Sequence, residues 1–229
     1  TSVALLWWGL LWWFGAGGHE IATFVSSVDK LAILLVFAAA SSAVLTGLCC
    51  ALPWRQLRFP VLLLLPVMAV VAEASFARDA HPLARWGGGA WGAALLTHYW
   101  IQWRVESEWP VGIAPYWHAG MLWLVLFLAS WEASWLVGRV ASDVATWKVV
   151  GWVVVPVAAI PGVPILARSL KWPLQRFGNA YERALIPVVG LAAFWVLLAS
   201  LDRGSPAPLP YLPVLNPLEL AQGLALAVI

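Results

Sequence analysis

The sequence predicts an all-α fold, a polytopic bundle of about eight transmembrane helices with the terminal two incomplete. Three observations predict it. Of 229 residues, 62% are hydrophobic and 10% charged, whereas a soluble domain is about half apolar and about a quarter charged. The charged residues cluster between apolar runs of about 17 to 25 residues, the length of helix that crosses a hydrocarbon core. The chain also begins and ends inside apolar runs too short for full spans, Val3–Phe14 and Leu218–Ile229. The expected organisation is therefore one transmembrane region over 1–229, a fragment of a longer membrane protein.

Taken in order, the first run ends at Gly15–Gly18, and a polar stretch from His19 to Lys30 leads into a second span over Leu31–Leu52. A third covers Phe59–Ala77. The fourth, Trp86–Trp103, opens on Gly87, Gly88, Gly89 and Gly92; the Gly88/Gly92 spacing either lets two helix backbones approach closely or marks a glycine-weakened start. Pro115 suits the first turn of a fifth span, Tyr116–Gly138. The sixth, Val144–Ala167, contains Pro156, Pro161 and Pro164 and is expected to kink or break, because each proline removes a backbone donor. A seventh runs over Tyr181–Leu201. After a Pro-rich segment, Asn216 as cap, Pro217 in the first turn and Glu219 at the third position mark the start of an eighth helix. On the second span Ala39, Ala43 and Gly47 form a small-residue line suited to helix contacts.

Several functions are excluded. A net charge of +2, scattered between apolar runs, leaves no basic surface for nucleic acid. The two cysteines, Cys49 and Cys50, are adjacent and supply neither a disulfide framework nor a metal-ligand spacing. His19-Glu20 begins like a zinc-protease motif, but the second histidine belongs at position 23, which is Thr23. No phosphate loop, nucleophile elbow or cysteine metal pattern occurs, so the sequence calls for no metal and no cofactor. Many tryptophans stand at span ends: Trp86, Trp100, Trp103, Trp109, Trp117, Trp147 and Trp172. The amphipathic indole favours the headgroup zone, giving an aromatic belt; stacking on sugar or lipid is the alternative.

The connections after spans two, four and six hold seven Lys and Arg (Arg55, Arg58, Arg104, Arg168, Lys171, Arg176, Arg183) against six elsewhere. By the positive-inside rule this places that side, and the N-terminal end, in the cytoplasm. The acids sort more sharply, since only Glu106, Glu108 and Glu182 of eleven fall on that side. Glu73 and Glu132, near the ends of the third and fifth spans, share the other side, each about 7–11 Å inside the boundary. His19, Glu20, Asp29, Asp79, His81, Asp143 and Asp202 belong to the same side, as do Asn216 and Glu219. An ionisable group inside a span usually faces a partner or a water-filled cavity. Glu73 and Glu132 therefore head a candidate polar cluster completed by His19, Glu20 and His81, with His98 deeper in the fourth span. Alternatively, both glutamates reach water or pair with Arg78 and Arg139 at the helix ends.

Three stretches, LLWWFGAGGHE at 10–20, HPLARWGGGAW at 81–91 and above all LPYLPVLNPLELAQ at 209–222, resemble the large bacterial predicted membrane proteins of domain-of-unknown-function family 2339. The resemblance follows the order of helices over nearly the whole chain. It implies a multi-pass bacterial inner-membrane protein, longer than this chain, and carries over no catalytic residues. The preferred reading is a non-enzymatic transport or assembly component of the cell envelope, whose acidic face near Glu73 and Glu132 lines a vestibule for a cation, proton or polar molecule. The alternatives are a membrane enzyme acting on a lipid-linked or glycan substrate, with His19, Glu20, Glu73 or His81 as acid or base, and a scaffold subunit of a membrane complex. The expected partners are the lipid bilayer, the remainder of the chain and other membrane subunits.

Overall fold

Every described element is helical, as expected for backbone that must satisfy its own polar groups where no water can. The computed structural model describes residues 2–52, 54–78, 81–141, 144–201, 204–207, 210, 212 and 216–229. The chain divides into two compact units, Thr1–Ala114 and Pro115–Ile229. The first contains α1 (Ser2–Phe24), α2 (Lys30–Ala51), α3 (Leu64–Phe76) and α4 (Gly87–Val105). Two 3-10 turns, Arg55–Arg58 and Pro60–Leu63, lead into α3, and a third, Glu106–Glu108, follows α4. The second contains α5 (Ile113–Val140) from Pro115 onward, α6 (Ala145–Ala167), α7 (Gly178–Ala199) and α8 (Pro217–Val228), with a wide turn at Lys171–Gln175 between α6 and α7.

Among the described residues, five stretches are long and apolar enough to cross a membrane: Lys30–Ala51, Gln56–Phe76, Ile113–Val140, Ala145–Ala167 and Gly178–Ala199. The other three expected spans are helical but stand outside that set. Helices α1 and α4 have the length and are diluted by Gly, Trp and polar side chains. Helix α8 has 12 residues, about 18 Å of rise against a hydrocarbon core about 30 Å thick.

The first run does not end at Gly15–Gly18, because α1 continues to Phe24. Packing explains the difference. Phe37 of α2 lays its ring on Gly17, where a Cβ would overlap it. Trp13 stacks on that ring at 5.7 Å and Phe14 meets it edge-on at 5.7 Å, while Trp13 Nε1 donates to Ser41 Oγ at 2.9 Å. Gly17 thus makes a seat for an aromatic ring, and His19 and Glu20 lie on a helix. Helix α6 likewise runs as one element through Pro156, Pro161 and Pro164. Each proline removes one hydrogen bond while the bonds on either side persist; the chain leaves the helix later, with Trp172 extended at φ −120°, ψ 139°. At α8 the expected cap is present, with the Asn216 side chain accepting from the Leu218 N–H at 3.1 Å.

Close helix approach falls elsewhere than the glycine spacing suggests. A Cβ on Gly92 would meet open space, and one on Gly88 only ordinary contact with Leu83. On α2 the covered line is Leu35, Ala38, Ala39, Ser42, Thr46 and Cys49, while Gly47 is exposed. The tight crossing is in the second unit, where a Cβ on Gly151 of α6 would come within 2.5 Å of the Ser134 Cα on α5. Gly151→Ala is expected to force these helices apart and lower stability by about 1–3 kcal/mol. Gly190→Ala, in open space within α7, is expected to raise it by about 0.5–1 kcal/mol through helix propensity. Thermal unfolding of the purified protein in detergent checks both, and an unchanged Gly151→Ala midpoint would remove the packing argument.

Candidate functional site

In the first unit the α1–α2 and α3–α4 connections meet. Arg78 Nη2 donates to the Ser27 carbonyl oxygen, and Arg85 pairs with Asp29 at 3.3 Å. Lys30 Nζ donates to the Ala22 carbonyl oxygen in the last turn of α1 at 2.6 Å. Arg85 takes φ 54°, a left-handed conformation uncommon away from glycine, and two residues on, a Cβ at Gly87 would overlap the Pro82 carbonyl. The turn is therefore specific to its sequence.

Four members of the candidate cluster stand on these elements: His19 and Glu20 in the last turns of α1, Glu73 in the last turn of α3, and His81 in the α3–α4 connection. His19, Glu20 and Glu73 are exposed and His81 is half-buried. The Glu73 carboxylate has no ion-pair or hydrogen-bond partner among the described residues, and Arg78 donates to Ser27. Glu132 is half-buried on α5 in the second unit, where Arg139 lies over the Trp135 ring at 5.3 Å. Asp79, Asp143 and Asp202 lie outside the described residues. Among the described residues no group of three or more His, Cys, Asp or Glu could hold a metal ion.

In the second unit a cleft of about 600 Å³ lies between α5, α6 and α7, within the roughly 300–1,000 Å³ range of small-molecule sites. Trp123, Phe127 and Ser130 of α5, Trp152 and Pro156 of α6, and Pro187, Leu191 and Trp195 of α7 form its walls. Along α7 the lining extends from Pro187 to Leu198, about 17 Å at 1.5 Å per residue. Trp123 Nε1 donates to the Ala184 carbonyl oxygen at 2.8 Å and ties α5 to α7; the Phe127 and Trp152 rings meet at 5.9 Å between α5 and α6. No titratable side chain lines the cleft, and its hydroxyl is Ser130. Trp195 Nε1 is buried with no acceptor among the described residues.

Five residues before Trp123 on α5, His118 is fully buried. Its Nδ1 lies 3.1 Å from the Tyr181 hydroxyl in the first turn of α7. Phe177 stacks on the imidazole at 4.0 Å and Trp172 meets it edge-on at 6.0 Å. Sequence reasoning singled out neither His118 nor the cleft. A histidine whose partner stands 63 residues away has no local spacing to betray it, but the mid-span positions of Trp123, Trp152 and Trp195 were a usable signal. Trp86 and Trp103 are exposed, as a belt requires, whereas Trp109 is buried. Tyr181→Phe removes the hydroxyl facing a buried imidazole and is expected to cost about 1–3 kcal/mol of stability. A thermal midpoint equal to that of the parent protein would show that the pair contributes nothing.

The order of helices and their apolar composition agree with a family match that covers the chain from end to end. The match, over residues 1–229, is to the family described as Predicted membrane protein (DUF2339). The chain belongs to that family. No curated protein and no solved structure matches it. As a DUF2339 protein the chain is an all-helical membrane protein with the lipid bilayer as its solvent.

Proposed function

We propose that this DUF2339 chain is a non-enzymatic transport or assembly component of the bacterial cell envelope, embedded in the inner membrane, and that its α5–α6–α7 cleft seats the apolar chain of a lipid or lipid-linked molecule. The cleft carries the reading. Its length along α7, about 17 Å, is close to half of a hydrocarbon core about 30 Å thick, which suits a chain from one leaflet. The lining offers aromatic and aliphatic surface with no acid or base, which favours holding a molecule over transforming it. The unpaired Trp195 N–H suits an ester or ether oxygen on the occupant, because a buried donor gains from any acceptor.

A phosphatidylcholine bearing a diazirine on its acyl chain tests this in membranes containing the full-length protein. Cross-links are expected on 123–130, 152–156 and 187–198. Leu126→Trp and Leu191→Trp, which fill the cleft from a half-buried and an exposed wall position, are expected to reduce them about tenfold, a difference of about 1.4 kcal/mol. Labelling spread evenly over uncovered apolar positions such as Leu5 and Leu11 of α1 would remove the reading.

A second reading rests on Glu73, a carboxylate on an apolar helix with no partner among the described residues. Such a group suits a proton or cation site. Glu73→Gln, and Glu132→Gln in the second unit, are each expected to fail to complement a strain lacking the protein while reaching the normal membrane level. Full complementation by both variants would exclude a carboxylate site.

A further inference from the structure

In the first unit α4 packs chiefly against α2, and the two helices run parallel, joined near both ends. At their starts Asp29 pairs with Arg85. Beyond their ends Arg58, in the turn after α2, donates through Nη1 to the Glu108 carbonyl oxygen, in the turn after α4, at 2.8 Å. Depths along the two helices can therefore be compared. Thr46 lies about 24 Å along α2 from Lys30, and Gln102 about 22 Å along α4 from Gly87. One turn earlier Ser42 and His98 match in the same way, and one turn later Cys49 and Glu106 do. His98 and Gln102 of α4 and Glu106, the first residue of the turn after it, are spaced i, i+4, i+8, and all six residues are buried.

Gln102 is 0% exposed, and neither its Oε1 nor its Nε2 has a hydrogen-bond partner among the described residues. Thr46, also 0% exposed, donates Oγ1–H to the Ser42 carbonyl oxygen at 2.8 Å, which leaves its oxygen able to accept. Two more buried donors lack acceptors where the α2 and α4 ends meet, Arg58 Nε and Trp109 Nε1. A buried amide left unpaired is costly in protein and more so in hydrocarbon, and a buried water is stable where two to four polar groups converge.

We infer that the C-terminal half of the α2–α4 seam is hydrated: water held by Gln102, Arg58 and Trp109 extends from the helix ends to the level of Ser42 and His98. Water and small hydrated cations are its ligands. It forms a polar inlet reaching well into the first unit.

Silver ion, a thiol reagent small enough to follow water, tests the inlet in membranes containing the full-length protein, with mass spectrometry of the peptide spanning 42–50 as readout. The native Cys49 thiol reports the mouth, and Thr46→Cys and Ser42→Cys report successive depths. Val44→Cys, at an uncovered position on the same helix, is the lipid-facing control. Silver is expected to modify Thr46→Cys and Ser42→Cys about a hundredfold faster than Val44→Cys, because a cation is penalised in hydrocarbon. Gln102→Leu is expected to slow both about tenfold and leave Cys49 unchanged. Thr46→Cys and Ser42→Cys as slow as Val44→Cys would overturn the inference. Gln102→Met supplies a second measurement. In a dry seam it removes an unpaired amide and raises the thermal midpoint, which would overturn the inference; in a hydrated seam it strips bonded water from Arg58 and Trp109 and lowers it.

Discussion

Hydrocarbon gives a peptide N–H or C=O nothing to bond to, and the ends of helices, where such groups are left over, are where that constraint is felt most. In the first unit basic side chains from the connections bond to the leftover carbonyls. Lys30 closes the last turn of α1 at Ala22, Arg78 takes the Ser27 carbonyl just beyond it, and Arg58 takes the Glu108 carbonyl beyond α4. In the second unit neutral groups do the corresponding work: Asn216 accepts from Leu218, Thr146 Oγ1 accepts from the Ser205 N–H, and Trp147 Nε1 donates to the Ala207 carbonyl oxygen. Arg78 is turned toward the Ser27 carbonyl and makes no pair with Glu73. The loop charges that a topology rule counts are thus also structural caps.

The same constraint shapes the interior through small residues and prolines. Where α5 and α6 cross, Gly151 lets the backbones come close enough to exclude lipid. A few residues along, Pro156 on α6 and Pro187 on α7 line the cleft. A proline ring cannot donate, and it leaves the carbonyl four residues earlier, at Trp152 and at Arg183, without its helical partner. Helices bearing prolines at facing positions pack less completely, and the space is walled by large rigid rings instead of being filled. Beyond it Val153 and Val157 of α6 pack with Ala192 and Val196 of α7 and Ala221 and Ala225 of α8, so the cleft has a firm floor.

Much of this was legible in the sequence, for definite reasons. Apolar run length located α2, α5, α6 and α7 to within a few residues, because crossing a bilayer fixes the number of residues required. The Asn216-Pro217 start was legible because capping chemistry is local. What depends on which helices pair was not legible. Gly17 read as part of a helix end, since nothing nearby says that Phe37 will seat on it. Ala39, Ala43 and Gly47 read as a packing line; Ala39 is covered, but from there the covered line runs through Ser42 and Thr46, a rotation of the face that periodicity in a uniformly apolar helix cannot detect. Gln102 drew no notice because an isolated amide in a helix is unremarkable until its burial is known.

The placement of buried polar groups separates the two units further. In the second, His118 meets Tyr181 and Thr146 accepts from Ser205, bonds that close within the protein, and the open donors, Trp195 Nε1 and Asn216 Nδ2, stand on separate helices. In the first, the buried amide of Gln102 and the buried donors of Arg58 and Trp109 are left open at one end of a helix pair. An apolar pair of side chains would have packed there at lower cost, since replacing buried polar groups by apolar ones of similar volume is commonly neutral or stabilising. Polar groups held at that cost are explained by a ligand that bonds to them, and for groups this small and this enclosed the ligand is water.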